Sequence, residues 1–355
     1  MAGGEPKPVG VMADGALPLP WLAPSLQRAL QVERSHALLL HAAVDVGQLD
    51  LALCIAQAWL CEQRERAPCG HCSSCRLARQ RTHPDLCVVV PDAQRVEFGW
   101  LGEDDALSRA GAKPSRDIRI EQVRDAIEWT QRSASTPRGR ALVIAPVEAL
   151  NVAAASALLK TLEEPPGTLR IALAGRDPER LLPTVRSRVQ RMRVDAPDSA
   201  QGLAWLQGQG WPASPRALTV AGGSPLAAAA LLQAGLDDRV LDLLPRAVAS
   251  GDAQALMGQS VPLVLDLLLR LVHDAMAQAA GAPPRFYAAD RMPPPAPLPA
   301  LIAWQRELLR VAPNDEHPWN APLLVEALVT KGARCWAAAS TGAPRPRGHS
   351  IHSAR

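Results

Sequence analysis

Residues 38–49 read LLLHAAVDVGQL, and the fold turns on how this stretch is understood. Leu38–Leu40 have the character of a buried strand. The apolar-rich run that starts at Leu49, LDLALCIAQAWL, has the character of a helix. Strand, short loop and helix form the setting of a phosphate-binding loop. Such a loop needs GxxxxGK followed by Ser or Thr. Its glycines let backbone N–H groups wrap a phosphate, the Lys meets the terminal phosphates, and the hydroxyl holds Mg²⁺. The register here supplies Ala42, Gly47, Gln48 and Leu49. One glycine remains, and the cation and the metal-binding hydroxyl are absent. The stretch is either an unrelated strand–turn–helix or a nucleotide loop without its chemistry.

Outward from this loop, apolar runs at ALLLHA, LCVVVP, RALVIAP and LRIALAG alternate with helical stretches at 49–61, 119–133 and 152–163. That alternation predicts a parallel sheet covered by helices between about Ala37 and Val194. After Val194 only helical segments are expected. They are short over 195–237 and long from 238 to 340, with a Pro-rich loop at 281–299. The expected architecture is α/β plus all-α: an α/β domain over 21–194, a small helical domain over 195–237 and a helical domain over 238–340. Residues 1–20, rich in Gly and Pro, read as a loose tail, and 341–355 as a disordered one. Within this frame, Ser25 is placed to cap a helix over 23–33, and Asn151 to cap the helix before Pro165–Pro166.

The chain has 355 residues, 48% hydrophobic and 21% charged, with a net charge of +3. Those figures fit a globular protein with real cores and argue against a protein that binds nucleic acid through bulk charge alone. The N-terminus has no apolar core of a secretory signal, and Asp266, Arg270, His273 and Asp274 interrupt the longest apolar stretch, so a cytoplasmic location is expected.

Four of the seven cysteines cluster as Cys61-x7-Cys69-x2-Cys72-x2-Cys75. The two short spacings let three thiolates converge and the longer excursion brings in the fourth. Four thiolates without an oxygen ligand fit one tetrahedral, structural Zn²⁺ per chain with no open position for a substrate. An iron–sulfur cluster and free thiols are the alternatives for the same spacing. The THPD stretch that follows (82–85) reads as a turn into the next strand, set by Pro84. Cys54 and Cys87 read as core residues.

A second nucleotide element is expected where RALVIAPVEALN (140–151) ends its strand. A hydrolase places an acidic pair there for Mg²⁺ and for the attacking water. The two positions are Pro146 and Val147, and Glu148 comes one place late. Further on, Lys160, Glu163 and Glu164 read locally as a solvated helix face. LRIALAGRDPERLLPTVRSRVQ then ends in an arginine-rich corner, Arg186-Ser187-Arg188. The corner reads either as surface charge or as a phosphate-directed arginine.

Taken in this order, LLKTLEEPP at 158–166, Ser187-Arg188 and CGHCSSC with THPD resemble the clamp-loader family of AAA+ proteins. CGHCSSC with THPD points to its bacterial branch, and the resemblance extends over about residues 20–340. It implies an AAA+-type first domain with a zinc module at 61–75, a lid-like second domain and a C-terminal helical collar. It implies gamma/tau ATPase subunits and a delta subunit as partners, with the sliding clamp and primed DNA reached through the complex in replication. The family's active members carry an Arg after a GS pair; here Pro225 and Leu226 follow Gly223-Ser224. The resemblance therefore implies a non-hydrolysing stator that binds no ATP productively. It would offer Arg188, with Ser187, in trans to the ATP of a neighbour. Val189 stands where the family has Cys, and Arg186 could share the role. An active gamma/tau-type ATPase and a zinc-dependent DNA-binding module are the two rival readings.

Overall fold

The structure, a computed structural model, describes residues 7, 9–31, 35–100, 114–311 and 320–341. The chain divides into two compact units, Met1–Pro197 and Asp198–Arg355.

The first unit is built on a five-stranded sheet in the order β2-β3-β4-β1-β5. Its strands are β1 (Ala37–His41), β2 (Leu86–Val89), β3 (Arg140–Ile144), β4 (Leu169–Gly175) and β5 (Gln190–Arg193), and every pairing is parallel. Parallel strands need crossovers, and helices supply them. In this unit they are α1 (Ala23–Leu30), α2 (Gln48–Leu60), α3 (Ser73–Arg79), α4 (Asp92–Glu97), α5 (Ile120–Gln131), α6 (Val152–Ala157), α7 (Leu159–Glu163) and α8 (Pro183–Arg186). The central strands β1, β3 and β4 are buried on both faces, which is why they read as unbroken apolar runs. The β5 strand was not expected. It lies at the sheet edge beside β1, and its sequence, QRMR, carries no apolar alternation.

Three local readings change. Ser25 lies inside α1, buried, and accepts a hydrogen bond from Arg28 instead of capping the helix. The helix expected over 152–163 is two short helices that meet at Leu158, while Asn151 caps the first as expected, accepting from Ala154 N at 2.8 Å. Part of the supposed N-terminal tail is packed: Val9, Val11 and Leu19 are buried, and Val11 N–H donates to Gln57 Oε1 at 2.7 Å. Its Gly/Pro content reflects turns, with Gly10 and Gly15 both at positive φ. Residues 1–6 and 8 lie outside the described residues.

The second unit is helical: α9 (Ser199–Gly208), α10 (Pro215–Val220), α11 (Pro225–Gln233), α12 (Asp238–Ser250), α13 (Val261–Ala279), α14 (Leu298–Val311) and α15 (Ala321–Thr341). One apolar cluster runs from Leu206 and Leu218 through Leu268 to Trp304 and Trp336. The core therefore shows no break at the boundary expected near 237/238. The Pro-rich loop is pinned by the charge that interrupts α13. Asp274 is fully buried and accepts N–H bonds from Arg285, Phe286 and Tyr287 at 2.9, 2.7 and 2.8 Å. Such a carboxylate is tolerated in a core because three donors replace its water. Among the described residues, no helix is long and apolar enough to cross a membrane. The tail expected over 341–355 lies, apart from Thr341, outside the described residues.

Candidate functional site

At the C-terminal end of β1 the loop Ala42–Gly47 leads into α2. Gly47 sits at φ 89°, and a Cβ there would fall 2.2 Å from Leu19 Cδ1, so only glycine fits without a shift. Gln48 is buried at the position where a phosphate loop carries its lysine. Its Nε2 donates to the carbonyls of Val44 at 2.8 Å, Ala42 at 3.2 Å and Gly175 at 3.3 Å, while its Oε1 accepts from Val46 N at 3.0 Å. The loop is thus closed on its own side chain and joined to the end of β4. Trp21 Nε1 adds a 2.9 Å bond to Val46 O from outside.

Beside it, Pro146 and Val147 follow β3, and Val147 is buried. Glu148 has a structural use that its register concealed. Its Oε1 accepts from the backbone N–H groups of Arg176 and Asp177 at 2.5 and 2.6 Å, and its carboxylate lies where a Cβ on Gly175 would go. It orders the loop after β4. In the second unit Ser224 caps α11, accepting from Ala227 N at 3.0 Å, and Pro225 opens that helix.

The arginine-rich corner is formed by α8. Ser187 ends the helix and its hydroxyl donates to Thr184 O at 3.0 Å. Arg188 Nε donates to Glu163 Oε1 at 2.7 Å, and its Nη1 donates to Thr184 O at 2.8 Å and to Ser187 Oγ at 3.1 Å. Glu163, read as part of a solvated face, is exposed as expected and is also the partner of Arg188. Arg186 pairs with Glu179, which also meets Arg191.

The cysteine cluster forms one compact group. Cys61, Cys69, Cys72 and Cys75 are all buried, with sulfurs within 4.8 Å of one another. The Cys61–Cys72 and Cys69–Cys75 separations are 3.9 and 3.8 Å. A tetrahedron with metal–sulfur bonds of ~2.3 Å has edges of ~3.8 Å, so the four residues fit a single ion. A cluster of several irons would need its thiolates farther apart. Cys72 caps α3, its sulfur accepting from Cys75 N.

The THPD turn holds this module to the sheet. His83 is buried between Ser74 Oγ, at 2.8 Å from Nε2, and Asp85 N–H, which donates to Nδ1 at 3.0 Å. Because Ser74 Oγ donates to Leu60 O, the His83 Nε2 carries the proton. Burial holds the His83 pKa below the ordinary imidazole value, against the opposing charges of Asp85 and Glu62. Asp85 in turn accepts from Ser135 N and Thr136 N. Cys54 and Cys87 lie apart from the cluster; burial raises the pKa of both, that of Cys87 to about 11.

A family model described as DNA polymerase III, delta subunit, matches residues 21–198. The DNA polymerase III subunit delta' of Escherichia coli (strain K12) is 31% identical over 74% of this chain and 77% of its own length. The chain belongs to the delta' family of DNA polymerase III. The delta' family is a clamp-loader family, and its AAA+-like α/β domain is the parallel-sheet unit described above. The tau subunit of the same bacterium is 32% identical over 69% of this chain and 35% of its own length, so the relatives of this delta' chain include tau-type clamp-loader subunits. Among solved structures, a gamma subunit-related protein of Thermotoga maritima aligns with 88% of this chain and 99% of its own, at 15% identity and a TM-score of 0.44.

Proposed function

We propose that this chain is the non-hydrolysing stator of a clamp loader and acts on the ATP of an adjacent gamma/tau subunit through Arg188. The observation that carries this reading is a contrast within one domain. The phosphate loop is filled by Gln48, bonded to three carbonyls. The Arg188 guanidinium sits at a half-exposed corner, set by Ser187 and Thr184. A guanidinium stays charged and presents a planar fork of donors, which suits it to charge building on a transferred phosphoryl. The delta subunit would flank the other side, and the complex would place the sliding clamp on primed DNA in the cytoplasm. Residues 195–237 would serve as the lid-like part and 238–340 as the collar through which the subunits assemble.

The cysteine cluster is assigned to structural zinc, held by Cys61, Cys69, Cys72 and Cys75. With four protein thiolates it offers no site for catalysis and would supply folding energy to the module. The test of the central role is Arg188→Ala in a reconstituted loader. Its DNA-stimulated ATPase should fall while the variant stays folded and assembles. Unchanged turnover would refute the trans role.

A further inference from the structure

At the end of the sheet opposite the degenerate loop lies a cavity of ≈ 810 Å³, walled by the N-terminal approaches to β1, β3 and β4 and by the end of α2. Arg64, Arg138 and Arg170 line it, with Trp59 and Thr168, and among the described residues no acidic one does. We infer that this cavity is a phosphate-binding site, with Arg64, Arg138 and Arg170 as its ligands.

The first argument is the state of the three arginines. Arg140, two residues beyond Arg138, donates to the carbonyls of Trp129 and Ser133. Among the described residues, the side chains of Arg64, Arg138 and Arg170 meet no ion-pair or hydrogen-bond partner. Arg138 Nε is buried without a partner. Arg170 lies over the Trp59 ring at 5.8 Å, a contact that leaves its donors free. Burial, then the charges of Arg64 and Arg170, lower the Arg138 pKa. Like charges gathered around a partly desolvated group oppose folding unless an anion joins them.

The second argument is that the positions are fixed. Gly139 has φ 84°, and a Cβ on it would fall 2.2 Å from Thr168 Oγ1, so the turn bearing Arg138 is pressed against the approach to β4. Arg64 rides the excursion between Cys61 and Cys69, whose ends are held by the cysteine cluster. This gives the excursion a use beyond bringing in a fourth thiolate. Three forks converging on one space favour phosphate over carboxylate. A carboxylate has two acceptor oxygens to share, whereas a phosphate presents three or four and more charge. The phosphate can belong to a DNA backbone or to a free phosphoanion.

The test uses the full-length chain as purified. Inorganic pyrophosphate is titrated by calorimetry and a labelled oligothymidylate by anisotropy, each at two salt concentrations. Arg64→Gln, Arg138→Gln and Arg170→Gln should each weaken binding about tenfold, as expected for loss of a charge-assisted bond. Arg124→Gln, an equal charge change on exposed α5, should not. Arg64 is exposed, so its variant tests the site even if a change at Arg138 disturbs the fold. Binding of pyrophosphate alone assigns a free anion, and binding of the oligonucleotide assigns DNA. The inference is overturned if neither binds, if the three variants bind like the parent, or if poly-glutamate binds as tightly as either probe.

Discussion

Arg188 and Glu163 face each other across 2.7 Å, Nε to Oε1, joining the corner after α8 to the last residue of α7. Both side chains are partly open to solvent, at 34% and 48%. Exposed pairs of this kind contribute only about 0–1 kcal/mol. The pair therefore orients the guanidinium without locking it, and a stronger anion on a neighbouring subunit could draw it away. Residues 158–166 and 187–188, far apart in sequence, are thus one device.

That view separates the roles of the two residues. Glu163→Gln keeps an acceptor but removes the charge, and the reconstituted loader should retain most of its ATPase. Arg188→Lys should behave like Arg188→Ala, because an ammonium cannot reproduce the planar fork. An arginine finger contributes about 10³-fold or more at its own site, so the share of turnover from that site should vanish. Steady-state ATPase of loaders assembled with each variant decides it. Full activity in Arg188→Lys, or loss in Glu163→Gln equal to that in Arg188→Ala, would contradict the assignment.

The degenerate loop should resist repair. Gln48→Lys with Leu49→Thr restores the residue types of a phosphate loop, yet Gln48 is buried among the carbonyls of Ala42, Val44 and Gly175. Leu19 and Trp21 press on the loop from outside, and Val147 stands where an acidic residue would hold Mg²⁺. We expect no measurable ATP binding and a loss of stability of about 1–3 kcal/mol, the cost of leaving Val46 N–H unsatisfied. Equilibrium dialysis with labelled ATP and denaturant melts measure both. Tight Mg²⁺-dependent ATP binding by the double variant would show that the loop is only two residues from function.

Much of this was legible in the sequence because it rested on local rules. The central strands β1, β3 and β4 are apolar runs, since a covered parallel sheet buries both faces. The cysteine spacing specified a compact tetrad before its sulfurs were seen to converge. What escaped were pairings between distant residues. Nothing near Glu163 announces Arg188, and nothing near Gln57 announces Val11. Glu148 was legible only as a residue out of register, because its partners are backbone N–H groups of the loop after β4. The β5 strand escaped because an edge strand need not be apolar, and the N-terminal segment because Gly and Pro served ordered turns.

The cysteine module should hold the N-terminal segment as well as itself. Gln57 Nε2 donates to Cys75 O at 3.1 Å while its Oε1 accepts Val11 N–H, and Gly70 lies so close to Met12 that a Cβ would meet Met12 O at 2.1 Å. Metal analysis should find about one zinc per chain. Chelation, or Cys72→Ser, should release the zinc and raise hydrogen exchange around Val11 as well as over 61–79. The β3 and β4 strands should stay protected. Iron in place of zinc, or exchange at Val11 indifferent to chelation, would refute the linkage.

The buried His83 gives the module a pH dependence of defined sign. Its Nε2–H donates to Ser74 and its Nδ1 accepts from Asp85 N–H, so the neutral ring satisfies both neighbours and a second proton would face a donor. Burial lowers its pKa in the folded state, while an unfolded histidine titrates near pH 6.5. The unfolded state then binds the proton first as pH falls. The stabilising contribution is complete above about pH 6.5 and is lost progressively as pH drops toward the folded value. One proton changes stability by at most about 1.4 kcal/mol per pH unit. Denaturant melts across this range should show a shallower pH slope for His83→Gln than for the parent. Equal slopes would mean that His83 is not the group whose protonation strains the turn.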